Sequence, residues 1–316
     1  MTTWEPSSEA MDLPDGVLGM ARRSPEWADW VDGLPGVVRE LLEGWELTTD
    51  GWMMHGFVAL VVPVRTGSGR SAVLKISFPD EQAEHEHLAL QRWGGRGAVR
   101  LLRADPHRRA MLLERLHPER LTEVEDVEAC EVVAGLYSQL HVPALPQLRT
   151  LSSYVEGWGA ALAELPRDAP LPRRLVEQAI SLARDFVADP GSVGTLVHGD
   201  LHYENVMAAD REPWLAIDPK PVDGDPHYEP APMLWNRFDE LAASSSGQSV
   251  GEGVRRRFHT LVDAAGLDEH RARDWVVVRM LDNARERLQD PPEVKRLTDT
   301  DDYLTMCIAI AKAVQD

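Results

Sequence analysis

Residues 196–219 read Leu-Val-His-Gly-Asp-Leu-His-Tyr-Glu-Asn-Val-Met, then a polar turn, then Trp-Leu-Ala-Ile-Asp-Pro. Asp200 stands five residues before Asn205, and Asp218 follows thirteen residues later, behind the apolar stretch 214–217. The spacing predicts a hairpin-like turn that carries Asp218 to Asn205, so that two oxygen-bearing side chains converge on a hard cation such as Mg²⁺. Asp200 is then left to face an acceptor. In phosphoryl transfer one carboxylate orients the acceptor hydroxyl and takes its proton, while an Asn and a second Asp hold Mg²⁺ on the donor phosphates. Each of these residues alone is an ordinary turn former. Their combination at this spacing points to the chemistry.

His198, Gly199, Asp200 and Asn205 fit the kinase loop pattern H-R-D-x-x-x-x-N with glycine at the arginine place. His198, two residues before the candidate catalytic carboxylate, is read as bracing the loop backbone through its ring nitrogens rather than as a base. His202 is taken as a supporting residue. After Pro219 only eleven residues separate this segment from a helix expected near Ala231, too few for the long activation segment a polypeptide acceptor needs. A small acceptor fits better.

The 316 residues suffice for two lobes, each with its own core. Residues 58–64 and 276–278, the longest apolar runs, fall far short of the roughly 20 residues of a membrane helix. The acidic, polar start of the chain lacks the marks of a secretory signal, so the expected location is cytoplasmic. Cys130 and Cys307 sit in helical contexts, outside any metal or redox spacing, and are expected to be buried small hydrophobes. A formal charge of −19 disfavours nucleic acid and favours a cationic small substrate.

Residues 1–36 carry Pro6, Pro14, Pro25 and Pro35, with a short helix expected from a Ser24 cap ahead of Pro25. A second helix is expected over 36–44, closing at Gly44. The period then changes to strands at 45–48, 57–65 and 71–78, a helix over 80–93, and strands at 99–104 and 110–115. From Leu121 helical spacing dominates, over 124–141, 151–164, 172–188, 251–265 and 269–289, with a loop at 242–251.

Lys75 stands in Ala-Val-Leu-Lys-Ile, on a strand that looks buried, where an ammonium without a partner is costly. Kinases use a lysine here to grip the α and β phosphates and pair it with a helix glutamate. Glu86 is the expected partner and Glu84 the runner-up. The turn over 50–57, ending Gly56-Phe57, can cover phosphates with its backbone amides although it lacks G-x-G-x-x-G. In Met111-Leu-Leu-Glu-Arg-Leu-His117 the Glu114 carbonyl and the Leu116 amide are the expected contacts to a nucleotide.

With these residues in place, the chain resembles the aminoglycoside phosphotransferase family, whose catalytic loop His-Gly-Asp-Leu-His-x-x-Asn and metal motif Ile-Asp-Pro occur at 198–205 and 217–219. Segments 92–102, 111–116 and 212–221 are similar to the branch with streptomycin 6-phosphotransferases and hydroxyurea phosphotransferases. The resemblance implies an α+β, protein-kinase-like bilobal fold with a small five-stranded antiparallel N-lobe and a larger, mostly helical C-lobe. It also implies ATP as donor and Mg²⁺ as cofactor. Asp200 would act on the acceptor, Asn205 and Asp218 would hold metal, and Lys75 would pair with Glu86. The expected division is an N-terminal extension at 1–36, a nucleotide-binding lobe at 37–117, and a helical lobe at 118–316 with the catalytic, metal and substrate sites. Glu229, where relatives carry Asp, is read as bracing the catalytic loop.

An acceptor bearing guanidinium groups needs carboxylates, because charge-assisted bonds to that planar cation are geometrically selective. Asp223, Asp225, Asp239, Glu240, Asp282 and Glu286 are the expected candidates, the last two sharing a helix face. The leading expectation is an ATP-dependent kinase acting on streptomycin at its 6-position and conferring resistance. Hydroxyurea or a metabolite as acceptor, and a catalytically silent nucleotide-binding module, are the alternatives.

Overall fold

The computed structural model describes residues 12–81, 83–243, 249–289 and 299–316. The chain divides into two units, one taking residues up to His87 and Leu101–Arg115, the other Leu88–Arg100 and Leu116–Asp316.

The first unit opens with α1 (Asp15–Met20) and α2 (Pro25–Gly44). Strands β1 (Leu47–Thr49), β2 (Met54–His55), β3 (Ala59–Thr66) and β4 (Ser71–Ser77) follow, then the start of α3 (Glu86–Trp93), then β5 (Leu101–Asp105) and β6 (Ala110–Glu114). All pairings are antiparallel, in the order β1-β3-β4-β6-β5, and the short β2 also pairs with β3. The sheet thus has the five expected strands plus β2, which forms inside the expected turn. Side chains alternate along a strand. Leu60, Val62 and Val64 of β3 and Ala72, Leu74 and Ile76 of β4 pack with Val17 and Met20 of α1 and with Val31, Leu34, Val38 and Leu41 of α2. Each fully buried aliphatic side chain of this kind contributes about 1.5–3 kcal/mol. Lys75, between Leu74 and Ile76, projects from the opposite face.

Three local expectations are corrected. Ser24 caps a helix by accepting from the Trp27 N–H, but that helix runs unbroken for 20 residues with Pro35 inside it. Val31, Leu34, Val38 and Leu41 recur on one face, and burying that face offsets the hydrogen bond Pro35 cannot donate. The helix expected over 80–93 begins only at Glu86, because Ala83 is the sole apolar residue from 80 to 86 and no face exists to bury. The strand expected from 99 begins at Leu101. Gly94, Gly95 and Gly97 adopt positive φ, and the Val99 N–H donates to the Ala216 carbonyl at 2.8 Å within the second unit.

The second unit is mostly helical: α4 (Asp126–Leu140), α5 (Leu151–Ala163), α6 (Arg173–Ala188), α7 (Ala231–Trp235), α8 (Phe238–Ala243), α9 (Val250–Ala265), α10 (Glu269–Gln289) and α11 (Thr300–Ala313). The last of these, with Leu304, Cys307 and Ile310 buried, gives Cys307 the helical, buried setting expected of it, although no bounds were expected for the helix. Part of the loop expected at 242–251, residues 244–248, lies outside the described residues. Among the helices stand β7 (Val142–Pro143), β8 (Thr195–Val197), β9 (Val206–Ala208), β10 (Trp214–Ala216) and β11 (Val222–Gly224). β8 is the middle strand of β11-β8-β7, and β9 and β10 form a hairpin. The 198–205 segment therefore leaves a buried central strand and enters a hairpin, held at both ends. Among the described residues no helix is long and apolar enough to cross a membrane.

Replacing Pro35 by alanine restores a backbone donor inside α2 without touching its buried face. The Pro35→Ala variant is expected to gain stability on the order of 1–3 kcal/mol, read as a higher urea midpoint at unchanged slope. A lower midpoint would show that the proline is needed for the helix to fit the sheet.

Candidate functional site

In the first unit, Lys75 Nζ donates to both carboxylate oxygens of Glu86, at 2.7 and 2.8 Å. The side chains are 9 % and 2 % exposed, so the ammonium and carboxylate neutralise each other where water cannot. Glu84 pairs instead with Arg109 at 3.3 Å and is half exposed. Glu114 ends β6, in register with Ala72. Gly56 follows β2 and its N–H donates to the Ala59 carbonyl at 2.9 Å. Leu116 begins the long second segment of the other unit and is half-buried.

In the second unit the 198–218 segment is fixed mainly through its backbone. Gly199 has φ +80°, and a Cβ there would lie 2.3 Å from the Lys220 carbonyl oxygen, so no side chain fits. Glu229, fully buried, accepts the His198 N–H at 2.5 Å on one carboxylate oxygen and the Gly199 N–H at 3.3 Å on the other. Burial alone would raise its pKa. His141, whose Nε2 lies 3.6 Å away, and the His198 N–H outweigh that and hold the carboxyl below its ordinary range.

His198 is also fully buried and uses both ring nitrogens on backbone. Nδ1 accepts from the Asp200 N–H at 3.3 Å, so Nε2 carries the proton and donates to the Ile217 carbonyl at 3.0 Å. Burial lowers its pKa, keeping the ring neutral. One imidazole thus ties the start of the loop to the residue before Asp218. The hairpin register pairs Val206 with Ala216, and the Ile217 N–H donates to the Asn205 carbonyl at 2.9 Å. Asp218 follows with φ +54°, a left-handed conformation that aspartate tolerates better than most residues.

Asn205 Nδ2 donates to the Asp200 carbonyl at 2.9 Å, and its Oδ1 carries no hydrogen bond among the described residues. Asn205 Oδ1 and the Asp218 carboxylate form an all-oxygen donor set that suits Mg²⁺, which is bound through one or two protein ligands plus phosphates and water. Among the described residues no group of three or more His, Cys, Asp or Glu could hold a metal ion alone, so phosphate oxygens would complete the shell. Lys220 Nζ lies 3.4 Å from Asp218 Oδ1. The Asp200 side chain keeps 27 % of its surface exposed, enough to meet an acceptor. Burial pushes its carboxyl up to about 6, against the opposing charges of Arg279 and Lys220. Burial pushes His202 down to about 4, and its Nε2 lies 3.8 Å from Asp200 Oδ1.

Most of the acidic residues expected to recognise an acceptor already have partners. Asp225 is corrected outright. It is 1 % exposed, and its oxygens accept from the His227 backbone and ring, Arg271 Nε at 2.5 Å and Trp275 Nε1 at 2.7 Å. It braces the core. Asp223 accepts the Gly194 N–H, and Glu240 is held by Arg237 at 2.6 Å. Asp282, 3 % exposed, and the more exposed Glu286 share Arg285, at 2.6 and 3.3 Å. Asp239 stands exposed on α8.

Arg279 is the main residue the sequence reading missed. From α10 it donates to the Gly199 carbonyl at 2.5 Å and to the Tyr228 carbonyl at 3.4 Å, with its guanidinium over the Tyr228 ring at 4.0 Å. A lone arginine within Val-Val-Val-Arg-Met-Leu is the same signal that singled out Lys75, a charge in an apolar run that must have partners. Trp93, stacked 6.1 Å from His198, and His141, 3.6 Å from Glu229, left no comparable mark in the sequence.

Comparison with known proteins places this geometry in context. Residues 44–290 match the family model described as aminoglycoside/hydroxyurea antibiotic resistance kinase. The chain is 41 % identical to a streptomycin 6-kinase of Streptomyces glaucescens, over 90 % of this chain and 93 % of that protein. It is 42 % identical to a hydroxyurea phosphotransferase of Kitasatospora aureofaciens, over 83 % and 75 %. A solved structure of a thermostable mutant of aminoglycoside phosphotransferase APH(4)-Ia with ADP and hygromycin B matches with a TM-score of 0.58 at 17 % identity, covering 88 % of this chain and 98 % of that one. With its antiparallel sheet followed by a helical part, the chain has an α+β, protein-kinase-like fold.

Removing one partner of the buried Lys75–Glu86 pair leaves the other charge uncompensated. Lys75→Met is expected to cost about 3–5 kcal/mol of stability. Combining it with Glu86→Leu should recover most of that loss in a denaturation titration while phosphate transfer stays absent. Recovery of transfer in the double variant would exclude Lys75 from the chemistry.

Proposed function

The chain belongs to the aminoglycoside/hydroxyurea antibiotic resistance kinase family, and from that premise we propose that it moves the γ-phosphate of ATP to a hydroxyl of a cationic aminocyclitol antibiotic, streptomycin at its 6-position foremost, and so confers resistance. The observation that carries the reaction is the braced loop, which holds Asp200 five residues from Asn205 while the hairpin returns Asp218 beside that asparagine's backbone. The choice of acceptor rests on the extent and identity of the match to the streptomycin kinase.

The residues divide the work by charge and position. Asp200 orients the acceptor hydroxyl and takes its proton. A carboxyl pushed up to about 6 is still ionised at neutral pH and is a better proton acceptor than an ordinary aspartate. Its placement comes from His198, Glu229 and Arg279, none of which needs to gain or lose a proton. Asn205 Oδ1 and Asp218 would hold Mg²⁺, which when bound would neutralise charge on the phosphate oxygens. Lys75, kept straight and charged by Glu86, grips the α and β phosphates. A net charge of −19 attracts a cationic acceptor. Asp239, Asp282 and Glu286 remain the carboxylates proposed to meet it, the last two through exchange of the Arg285 guanidinium for one on the acceptor.

A second reading, hydroxyurea as acceptor, is supported by a similar identity to the hydroxyurea enzyme. ATP consumption by the wild type should be measured with streptomycin, other aminoglycosides and hydroxyurea, and the product's phosphate located by NMR. The expected outcome is streptomycin-dependent turnover with phosphate on the 6-hydroxyl, falling by about 10²–10⁴ in Asp200→Ala. Asn205→Ala and Asp218→Ala should shift the Mg²⁺ requirement upward. Hydroxyurea turnover without streptomycin turnover would favour the second reading, and no acceptor-dependent turnover from any compound would end the antibiotic assignment.

A further inference from the structure

Residues 12–43 precede the span matched by the family, 44–290, yet in the first unit they hold the turn at 50–57. The first hold is Arg23, one residue before the Ser24 cap. Its guanidinium donates to the Phe57 carbonyl at 2.9 Å and lies between two rings, 4.6 Å from the centre of Phe57 and 4.5 Å from that of Trp27. Trp27 is stacked in turn on Phe78 at 3.7 Å, and the Phe78 N–H donates to the Val58 carbonyl at 2.8 Å. Phe57 is 78 % exposed, so burial does not place it. The cation between the rings and the hydrogen bond to the carbonyl do. The second hold is Gly16 of α1. A Cβ there would lie 2.0 Å from His55 Nε2, so the imidazole of β2 rests where only a glycine leaves room. At its other end the turn is tied by Asp50, which takes Arg115 at 2.8 Å and Arg65 at 3.2 Å.

We propose that Arg23 and Gly16 are positioning residues through which α1 and α2 set the 50–57 turn for the phosphates of the nucleotide. A turn ordered in advance loses less freedom when it closes on a ligand, and the saving appears as affinity for the part of the ligand it covers. The inference rests on the proposed reading of this turn as the phosphate cover.

The test is calorimetric titration of the whole chain with Mg-ATP and, separately, with adenosine. Arg23→Met is expected to weaken Mg-ATP about three- to tenfold and to leave adenosine unchanged, with Arg23→Lys restoring part of the loss. Gly16→Ala, which displaces the His55 ring, should show the same selective loss. Alanine favours a helix more than glycine does, so unfolding of α1 cannot account for that result. Unchanged Mg-ATP affinity in both Arg23→Met and Gly16→Ala, or an equal loss of adenosine binding, overturns the proposal. A wild-type protein that binds no Mg-ATP overturns the phosphotransferase reading itself, and with it this one.

Discussion

A single buried carboxylate organises the second unit. Glu229 has no exposure to solvent, and each of its oxygens takes one backbone N–H of the candidate catalytic loop, from His198 and Gly199. Left without an acceptor, each buried N–H would cost about 1–3 kcal/mol, and the loop would have no reason to keep the glycine turn that aims Asp200. The arm of the glutamate carries both carboxylate oxygens to these two N–H groups at once. The Tyr137 hydroxyl donates to the Glu229 carbonyl at 3.1 Å, so α4 fixes the brace in turn. Loop, hairpin and candidate metal oxygens all hang from that chain of bonds.

The same device recurs in the first unit with opposite parts. There a buried cation, Lys75, is held by a helix glutamate on the face of the sheet that the α1 and α2 core leaves open. In both places an ionised group is stable in the interior because its partner is placed by secondary structure rather than by side-chain flexibility. Such groups do little for net stability. Their value is that a charge held in one geometry before any ligand arrives needs no reorganisation during reaction.

What could be read from the sequence follows from how local each signal is. Asp200, Asn205 and Asp218 lie within nineteen residues, so spacing alone brought them together. Lys75 announced itself by costing energy where it stood, and Glu86 was the charge on the nearest helix. Arg279 carried the same announcement, but its partners are carbonyls of Gly199 and Tyr228, and backbone acceptors have no letter in a sequence. Asp225 was misread for the converse reason. Its partners, Arg271 and Trp275, lie about fifty residues away, so the carboxylate looked available until the fold placed them on it. The unbroken α2 shows tertiary burial overriding a local rule. Pro35 argues for a break, and the sheet beneath Val31, Leu34, Val38 and Leu41 argues harder.

The glycine at 199 has a bearing on how such enzymes can change. Protein kinases place an arginine at this point of the loop, but here the Lys220 carbonyl stands where any side chain would begin. The positive charge reaches the loop from α10 instead, through Arg279 and the Gly199 carbonyl. The two arrangements are therefore not neighbours by single substitution. To accept a side chain at 199 the backbone around Lys220 would have to move as well, so the glycine and the path of the chain after Asp218 stand or fall together.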